Sequence, residues 1–205
     1  MRNWRCWPAA PWSVTTVNDP PRALRSDALR NHERILAAAR DVLGECGADA
    51  SIEDIAARAG VGVGTVYRRF ASKDALIDEL LRLVMAQLGT AADRALARPD
   101  GHGLEELLRA FGQSFAEHAR YANLMLEREP DAKSALQIRA AIAGLTGRAV
   151  RAGAIRPDIT AADVLALISG MRGLVQAEAD LAPDAWQRFL DIHLAGMRPP
   201  AAAGP

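Results

Sequence analysis

The chain has 205 residues, 50% of them apolar, and its 25 lysines and arginines balance its 25 aspartates and glutamates. This length and composition suit one large globular domain or two small ones with a hydrophobic core. A net charge of zero excludes a protein that binds nucleic acid through an overall positive charge, so any such partner requires a local basic patch.

Cysteine and histidine usage excludes further classes. Cys6 and Cys46 form neither a CxxC pair nor a disulfide framework, and His102, His118 and His193 lack a metal-ligand spacing. The first twenty residues lack the continuous apolar segment of a signal peptide, and no run of about 18 apolar residues predicts a membrane span. We therefore expect a cytoplasmic protein with no metal, no cofactor and no membrane contact.

Apolar residues recur at helical spacing along the chain, and glycines and prolines separate the segments, which predicts an all-α fold of about nine helices. Residues 1 to 21 are expected to be disordered, as are residues 198 to 205. The first of these segments contains Trp4, Trp7 and Trp12, so it is either a docking segment or a stretch upstream of the true start codon. The predicted helices span residues 26–46, 52–59, 63–70, 73–97, 103–118, 121–128, 131–152, 160–179 and 183–196.

Three local signals mark the second, third and fourth helices. Ser51 and Asp54 have the spacing of a capping box, Gly60 suits a left-handed helix stop, and Ser72 is placed to cap the fourth helix. Two short helices joined by a glycine-containing turn are the layout of a helix-turn-helix. Its second helix enters the major groove of DNA.

The predicted third helix has two different faces. At 3.6 residues per turn, Val66 and Phe70 lie on the inner side with Val63, whereas Thr65 and Arg68 lie on the outer side with Gly64. The outer side offers a hydroxyl, a guanidinium and a glycine that lets the backbone approach the bases. It therefore has the chemistry of a groove-reading surface.

A local excess of positive charge follows on the same segment. Between Val61 and Lys73 there are three cations and no acid. Lys73 lies at the start of the fourth helix, where a DNA phosphate bound by its ammonium and by free amides would offset its unfavourable interaction with the helix dipole. The alternative for Arg68 and Arg69 is an ordinary solvated helix face.

The glycines of "GVGVGTVYRRF", residues 60 to 70, raise the alternative of a phosphate-binding loop. Gly60, Gly62 and Gly64 follow a helix and are spaced two apart, which fits neither GxxxxGK[ST] nor a GxGxxG turn after a strand. The spacing argues against nucleotide binding.

The stretch "SIEDIAARAGVGVGTVYRRFASKDAL", residues 51 to 76, resembles the helix-turn-helix of the TetR family of bacterial transcriptional regulators, and the likeness extends over roughly residues 22 to 90. It rests on Ser51, Ile55, Ala56, Ala59, Gly60, Val61, Gly64, Thr65, Tyr67, Phe70, Lys73 and Leu76. Gly62 departs from the usual Ser or Thr, and Arg69 from the usual His or Tyr. Glycine still serves as an N-cap, but a hydroxyl contact to phosphate is absent.

The resemblance implies a domain organisation. Residues 22 to 76 would form the DNA-binding domain, with the helix-turn-helix over residues 51 to 70, and residues 77 to 197 a ligand-binding and dimerisation domain. The DNA contacts implied by the family pattern are Ser51, Val63, Gly64, Thr65, Tyr67, Arg68, Arg69 and Lys73. Tyr67 could also serve packing, with its ring inward and its hydroxyl toward phosphate.

Two further predictions concern regions outside the helix-turn-helix. Position and charge alone suggest that Arg22, Arg25 and Arg30 form an arm that reaches DNA beside the recognition helix. In the C-terminal half an effector pocket is predicted, although each of its members could equally be core. The predicted lining is Met85, Leu88, Phe111, Phe115, His118, Tyr121, Met125 and Met171, with Trp186 as a further candidate.

The last two helices carry wide apolar faces that suit a four-helix interface between two copies, and two-fold symmetry would place paired recognition helices on half-sites roughly 34 to 36 Å apart. The sequence thus predicts a homodimeric repressor that binds a palindromic operator and is released by a small molecule. A regulator without a ligand and an all-helical enzyme are the alternatives, although no catalytic grouping is visible. The ligand, the operator, the regulated genes and the sign of regulation are not encoded in any motif.

Overall fold

The computed structural model describes residues 22–126, 128–177 and 184–200. Within these ranges the chain forms nine α-helices, two short 3-10 segments and no strand, which confirms the all-α prediction. The predicted disordered lead with its tryptophans lies outside the described residues, as does the end of the tail. The helices are α1 (Arg22–Cys46), α2 (Ile52–Ala59), α3 (Val63–Arg69), α4 (Lys73–Ala97), α5 (Gly103–His118), α6 (Ala122–Leu126), α7 (Ala132–Arg151), α8 (Ala161–Gln176) and α9 (Ala185–Met197), and the 3-10 segments are Gly47–Asp49 and Ala119–Tyr121.

The local signals at the second, third and fourth helices are confirmed. Ser51 Oγ accepts from the Asp54 amide, and the Asp54 carboxylate accepts from the Ser51 amide, so the capping box is complete. Gly60 has φ 64° and ψ 38°, the left-handed conformation that a side chain disfavours. Ser72 Oγ accepts from the Ala75 amide at 3.1 Å and caps α4.

The helix bounds differ from prediction at several ends. Helix α1 begins at Arg22 rather than near residue 26, and α6 begins at Ala122 rather than at residue 121, because residues 119–121 wind as 3-10 helix. Helix α8 ends at Gln176, three residues early. Ends are set by competing hydrogen bonds that hydrophobic periodicity does not reveal, so differences of a turn are expected.

A first hydrophobic cluster joins α1, α2 and α3 to the beginning of α4. Ile35 and Leu43 of α1 pack with Ile55 of α2, and Val66 of α3 is fully buried among them. Burying each such side chain contributes roughly 1.5–3 kcal/mol. The cluster holds the short helix α3 in place although seven residues are too few for a stable isolated helix.

A second hydrophobic cluster is formed by the rest of α4 with α5, α7, α8 and α9. Trp186 of α9 lies against Gly112 of α5, where a Cβ would approach its ring to 2.1 Å. Met171 of α8 is fully buried in this cluster. Glycine at position 112 therefore permits the close approach of α9 to α5.

Helix α4 belongs to both clusters. Ile77 and Leu80 lie in the first cluster, whereas Leu88 lies in the second, and Val84 packs against both. Helix α4 therefore runs without interruption from one cluster into the other. Among the described residues no helix is both long enough and apolar enough to span a membrane.

Candidate nucleic-acid interface and cavity

The turn between α2 and α3 is held by backbone hydrogen bonds. After the left-handed Gly60, the Val61 amide donates to the Ala56 carbonyl at 3.0 Å. The Thr65 amide donates to the Gly62 carbonyl at 2.8 Å and starts α3 without a side-chain cap. Burial of Val66 then fixes the rotation of α3 about its axis, so that the opposite side faces solvent.

The exposed side of α3 carries the residues predicted to read DNA. Tyr67 is 49% exposed, an unusual fraction for a large aromatic ring. Arg68 is exposed, and its Nη2 donates to Thr65 Oγ1 at 3.0 Å. A Cβ placed on Gly64 would meet no atom within 4 Å, so the space above this residue is open for the approach of a partner.

Arg69 is exposed at the end of α3 but is bound on one side. Its Nε donates to Nδ1 of His32, on α1, at 3.0 Å. No local pattern indicated this contact, because 37 residues separate the pair.

Lys73 differs from the prediction of an ammonium free to bind phosphate. Its Nζ donates to the carbonyls of Ala48 at 2.6 Å and of Ala50 at 3.0 Å. These two carbonyls lie in the segment just before α2. Lys73 therefore ties the beginning of α4 to the segment that leads into α2, and two of the three N–H groups of its ammonium are occupied.

Ser51 and Val63 are half-buried, and both have a structural role in the absence of DNA. The Ser51 hydroxyl donates its only proton to the Asp54 carboxylate at 2.5 Å and accepts from the Asp54 amide. Val63 packs against the first hydrophobic cluster. Of the predicted contacts, Gly64, Tyr67, Arg68 and Arg69 are the most exposed.

The predicted arm is described only in part. Arg30 is exposed and pairs with Asp27 one turn earlier on α1. The side chains of Arg22 and Arg25 lie outside the described part of the structure. An exposed pair of this kind stabilises a helix by only about 0.3–0.5 kcal/mol, so it leaves Arg30 free to rearrange.

A cavity of about 270 Å³ lies between α4, α5, α6 and α8. Six of the eight predicted residues line it, namely Met85, Leu88, Phe111, Phe115, His118 and Met125. Tyr121 and Met171 do not line this cavity, because Tyr121 packs in the first hydrophobic cluster and Met171 is buried in the second. Ten further residues line the cavity that were not predicted from the sequence, namely Leu81, Val84, Ser114, Ala122, Arg128, Pro130, Ile168, Arg172, Val175 and Gln176.

Tyr121 lies instead beside a polar hollow next to the cavity. Within the described residues its buried hydroxyl has no hydrogen-bond partner at ordinary geometry, and the Arg40 guanidinium lies nearby. Burial raises the pKa of Tyr121 to about 12, because the phenolate would be poorly solvated. His118 lines both the apolar cavity and this polar hollow.

Arg128 connects the cavity wall to the start of α4. Its Nη1 donates to Asp78 Oδ1 at 2.6 Å, and its Nη2 pairs with the Asp74 carboxylate. The hydrogen bond to Asp78 raises the pKa of Arg128 above its usual value. Met125 is a second link, since it lines the cavity and belongs to the first hydrophobic cluster.

The apolar faces predicted to form a dimer are largely used within the chain. Val164 and Met171 of α8 and Trp186 and Leu190 of α9 are buried in the second cluster. The surface that remains on these helices carries Leu165 on α8 and Ile192 on α9, which are 37% and 57% exposed. Periodicity identified the apolar faces correctly but could not assign them to an internal or an external partner.

Two exposed glycines lie in the second half of α8. Gly170 of α8 lies against the ring of Phe189, where a Cβ would be 3.1 Å from Cζ. Gly173 lies one turn further, with open space above it. Among the described residues no group of three or more potential metal ligands is found.

Family comparisons match both halves of the chain. Residues 35–80 match the family described as "Bacterial regulatory proteins, tetR family". Residues 101–199 match the family described as "Transcriptional regulator SbtR-like, C-terminal domain".

Solved structures and a curated relative give the same assignment. The TetR transcriptional regulator SCO0520 from Streptomyces coelicolor is 33% identical, with a TM-score of 0.61 over 82% of this chain and 99% of that chain. The TetR transcription regulatory protein from Mycobacterium vanbaalenii is 28% identical, with a TM-score of 0.62 over 85% and 99%. The HTH-type transcriptional regulator BetI of Klebsiella pneumoniae (strain 342) is 35% identical over 86 residues, which are 41% of this chain and 44% of that regulator's length.

Proposed function

The chain belongs to the TetR family of bacterial DNA-binding transcriptional regulators, and on that premise we propose that it is a homodimeric repressor whose α3 reads a palindromic operator and which a small molecule releases from DNA. The observation that carries the proposal is the exposed face of α3, where Gly64, Tyr67, Arg68 and Arg69 lie together on a buried support. Such a regulator acts in the cytoplasm, on the bacterial chromosome.

We assign the DNA contacts by their geometry. Arg68, whose Nη2 donates to Thr65 Oγ1, reads base edges. Tyr67 and Arg69 bind phosphates on either side of the groove. Gly64 admits the backbone to the groove. Ser51, Val63 and Lys73 support this surface from the capping box, the first cluster and the carbonyls before α2, so their effect on DNA is exerted through position.

Base reading by Arg68 is tested with operator DNA selected from a random library. Arg68→Ala should weaken binding to the selected sequence by roughly 10- to 100-fold, the discrimination that a bidentate base contact provides, with a smaller loss on random DNA. Arg139→Ala, at an exposed arginine of α7, is the matched control and should leave both affinities unchanged. Equal losses on both DNAs for Arg68→Ala would contradict a base-reading role.

The proposed dimer interface is the outer surface of α8 and α9. Leu165 and Ile192 expose apolar area, and the open space above Gly173 on α8 leaves room for the approach of a second copy. Ile192→Glu should yield a monomer in sedimentation experiments and abolish operator binding, because one recognition helix contacts only one half-site. Leu136→Glu, at a 70% exposed leucine of α7, is the control and should remain dimeric. A dimeric Ile192→Glu variant would place the interface elsewhere.

The proposed effector site is the cavity between α4, α5, α6 and α8. Its lining is mainly apolar, with Ser114, His118, Arg128, Arg172 and Gln176 as polar groups, and its volume is just below the usual range for small-molecule sites. The effector should therefore be a small, mainly apolar molecule with one polar end. The cavity supports this reading over a regulator without a ligand.

Coupling to DNA is proposed to run through α4. An effector that displaces Arg128 or Met125 would alter their contacts with the first turns of α4 and with the first cluster, and so change the separation of the two recognition helices. We propose a DNA-binding domain over residues 22–76 and an effector and dimerisation domain over residues 77–197, with α4 continuous across the boundary.

The effector proposal is tested by thermal shift with a panel of small amphipathic compounds. Compounds that stabilise the wild type should also release it from operator DNA. Ala122→Trp, which fills the cavity, should bind DNA and fail to respond to them. Compounds that stabilise both proteins equally would bind somewhere else.

A further inference from the structure

The contact between Arg69 and His32 is part of a larger junction between three helices. The His32 ring of α1 stacks on Phe70, which follows α3, with ring centroids 5.5 Å apart and an interplanar angle of 22°. Its Nδ1 accepts from Arg69 Nε at 3.0 Å, and its Nε2 lies 3.6 Å from Oε1 of Glu79 on α4. The side chain of His32 is 14% exposed, and the stacking and the two polar contacts hold its ring between the three helices.

This geometry determines the tautomer of His32. An arginine Nε–H only donates, so Nδ1 must carry a lone pair and the proton of the neutral ring must lie on Nε2. Nε2 lies on the side of the Glu79 carboxylate, which accepts from Arg82 Nε at 2.6 Å. The neutral imidazole therefore presents its Nδ1 lone pair to Arg69 and its N–H to the side of the ring where an anion lies.

The hydrogen bond to His32 uses only Nε of Arg69 and leaves the two terminal nitrogens of the guanidinium available. Because Nε is bound to His32, the two terminal nitrogens are held in one orientation at the exposed end of α3. A guanidinium fixed before binding loses less conformational freedom when it contacts a phosphate.

We propose that His32 is a positioning residue for DNA binding, which in its neutral form orients Arg69 toward a phosphate and on protonation releases it. This proposal rests on the proposed phosphate contact of Arg69. Protonation would place an N–H on Nδ1 against the Arg69 Nε–H and bring two cations together, so the contact could not persist. The junction thus makes operator affinity depend on pH.

The charges around His32 set the direction of this dependence. Arg69 of α3 and Arg82 of α4 face the ring as cations, and Glu79 of α4 and Glu33 of α1 face it as anions. Burial lowers the pKa of His32 below 6.5, and Arg69 lowers it further, against the opposing effect of Glu79. The neutral form therefore prevails at pH 7.5, and the contact is lost as the pH falls through the lowered pKa of His32. A histidine that contacts a phosphate directly would strengthen DNA binding on protonation. A fall in operator affinity at lower pH therefore distinguishes the positioning role of His32 from a direct phosphate contact.

The test compares four variants with the wild type by fluorescence anisotropy on selected operator DNA at pH 7.5 and at a lower pH at which nitrogen-15 NMR shows the His32 ring protonated. Wild-type affinity should fall roughly 10-fold at the lower pH, the value of one charge-assisted contact, and Arg69→Ala should show that loss at both values. His32→Asn places an amide oxygen near the position of Nδ1 and should bind well at both pH values. His32→Leu should bind weakly at both. His102→Asn, at an exposed histidine before α5, should retain the wild-type profile.

The outcomes separate this proposal from the proposed function. Full affinity for Arg69→Ala would overturn the phosphate contact itself. Weak binding by Arg69→Ala together with an unchanged pH profile in His32→Asn would overturn only the role of His32. Nitrogen-15 NMR of the wild-type imidazole provides a readout that does not depend on a variant folding: a protonated Nδ1 at pH 7.5 would refute the proposal, and an unprotonated Nδ1 would support it.

Discussion

Replacing Lys73 by methionine separates a structural from an electrostatic role at the DNA-binding surface. Methionine keeps most of the apolar stem and removes the ammonium that binds the carbonyls of Ala48 and Ala50. Hydrogen bonds from charged donors contribute roughly 1.5–3 kcal/mol each, and the lower end applies here because one of the two is exposed. Allowing for the screening of a half-exposed group, we expect the free energy of unfolding to fall by about 2 kcal/mol.

Thermal unfolding and salt titration of DNA binding measure the two roles independently. A loss of about 2 kcal/mol corresponds to a fall in Tm of roughly 4–8 °C for a chain of this size. Binding to operator and random DNA should weaken together, because the segment before α2 loses its tie to α4. The slope of log K against log salt should remain that of the wild type, since the ammonium is bound to carbonyls and neutralises no phosphate.

The control for Lys73 is the other lysine of the chain. Lys133 is exposed on the first turn of α7, and Lys133→Met should change stability by no more than about 0.5 kcal/mol. A slope reduced by about one for Lys73→Met, with unchanged Tm, would refute the structural role and restore the direct phosphate contact.

Two further predictions concern the interior. Gly112→Ala should destabilise the protein by about 1–3 kcal/mol, because the added Cβ would overlap the Trp186 ring. The control is Gly144→Ala on α7, which should be neutral or stabilising because its Cβ would come no nearer than 3.8 Å to another side chain. Chemical denaturation measures both free energies of unfolding, and equal effects would contradict the packing argument. Tyr121→Phe should leave the free energy of unfolding unchanged or slightly raised, since it removes a buried hydroxyl that has no hydrogen-bond partner among the described residues. A loss above about 1 kcal/mol would show that the hydroxyl is hydrogen-bonded.

The short-range features of the DNA-binding unit were predictable from the sequence. A capping box closes over four residues and a left-handed stop over one, so Ser51, Asp54 and Gly60 reveal them without knowledge of any neighbour. Periodicity likewise indicated that Val66 is buried and Arg68 exposed, because both follow from one helix and one inner face.

The long-range contacts were not predictable. Lys73 lies 23 residues from Ala50, and Arg69 lies 37 residues from His32. Nothing in the local sequence distinguishes a lysine that binds carbonyls from one that faces solvent, because both need only a flexible stem and a charged end.

The cavity shows the same limit from the apolar side. Phe111 and Phe115 line it as predicted, yet Met171, on an equally apolar stripe, packs in the core. Helical periodicity shows which face of its own helix a side chain occupies. It does not show whether another helix or a cavity lies against that face.

By itself, the sequence determined the helical elements, their caps and the face of α3 that is turned outward, since each depends on residues within a turn or two of one another. Only the tertiary structure decided which groups Lys73, Arg69 and Arg128 bind, and which apolar side chains of α8 and α9 remain exposed. These depend on the distances between helices, which the packing of all their side chains fixes together.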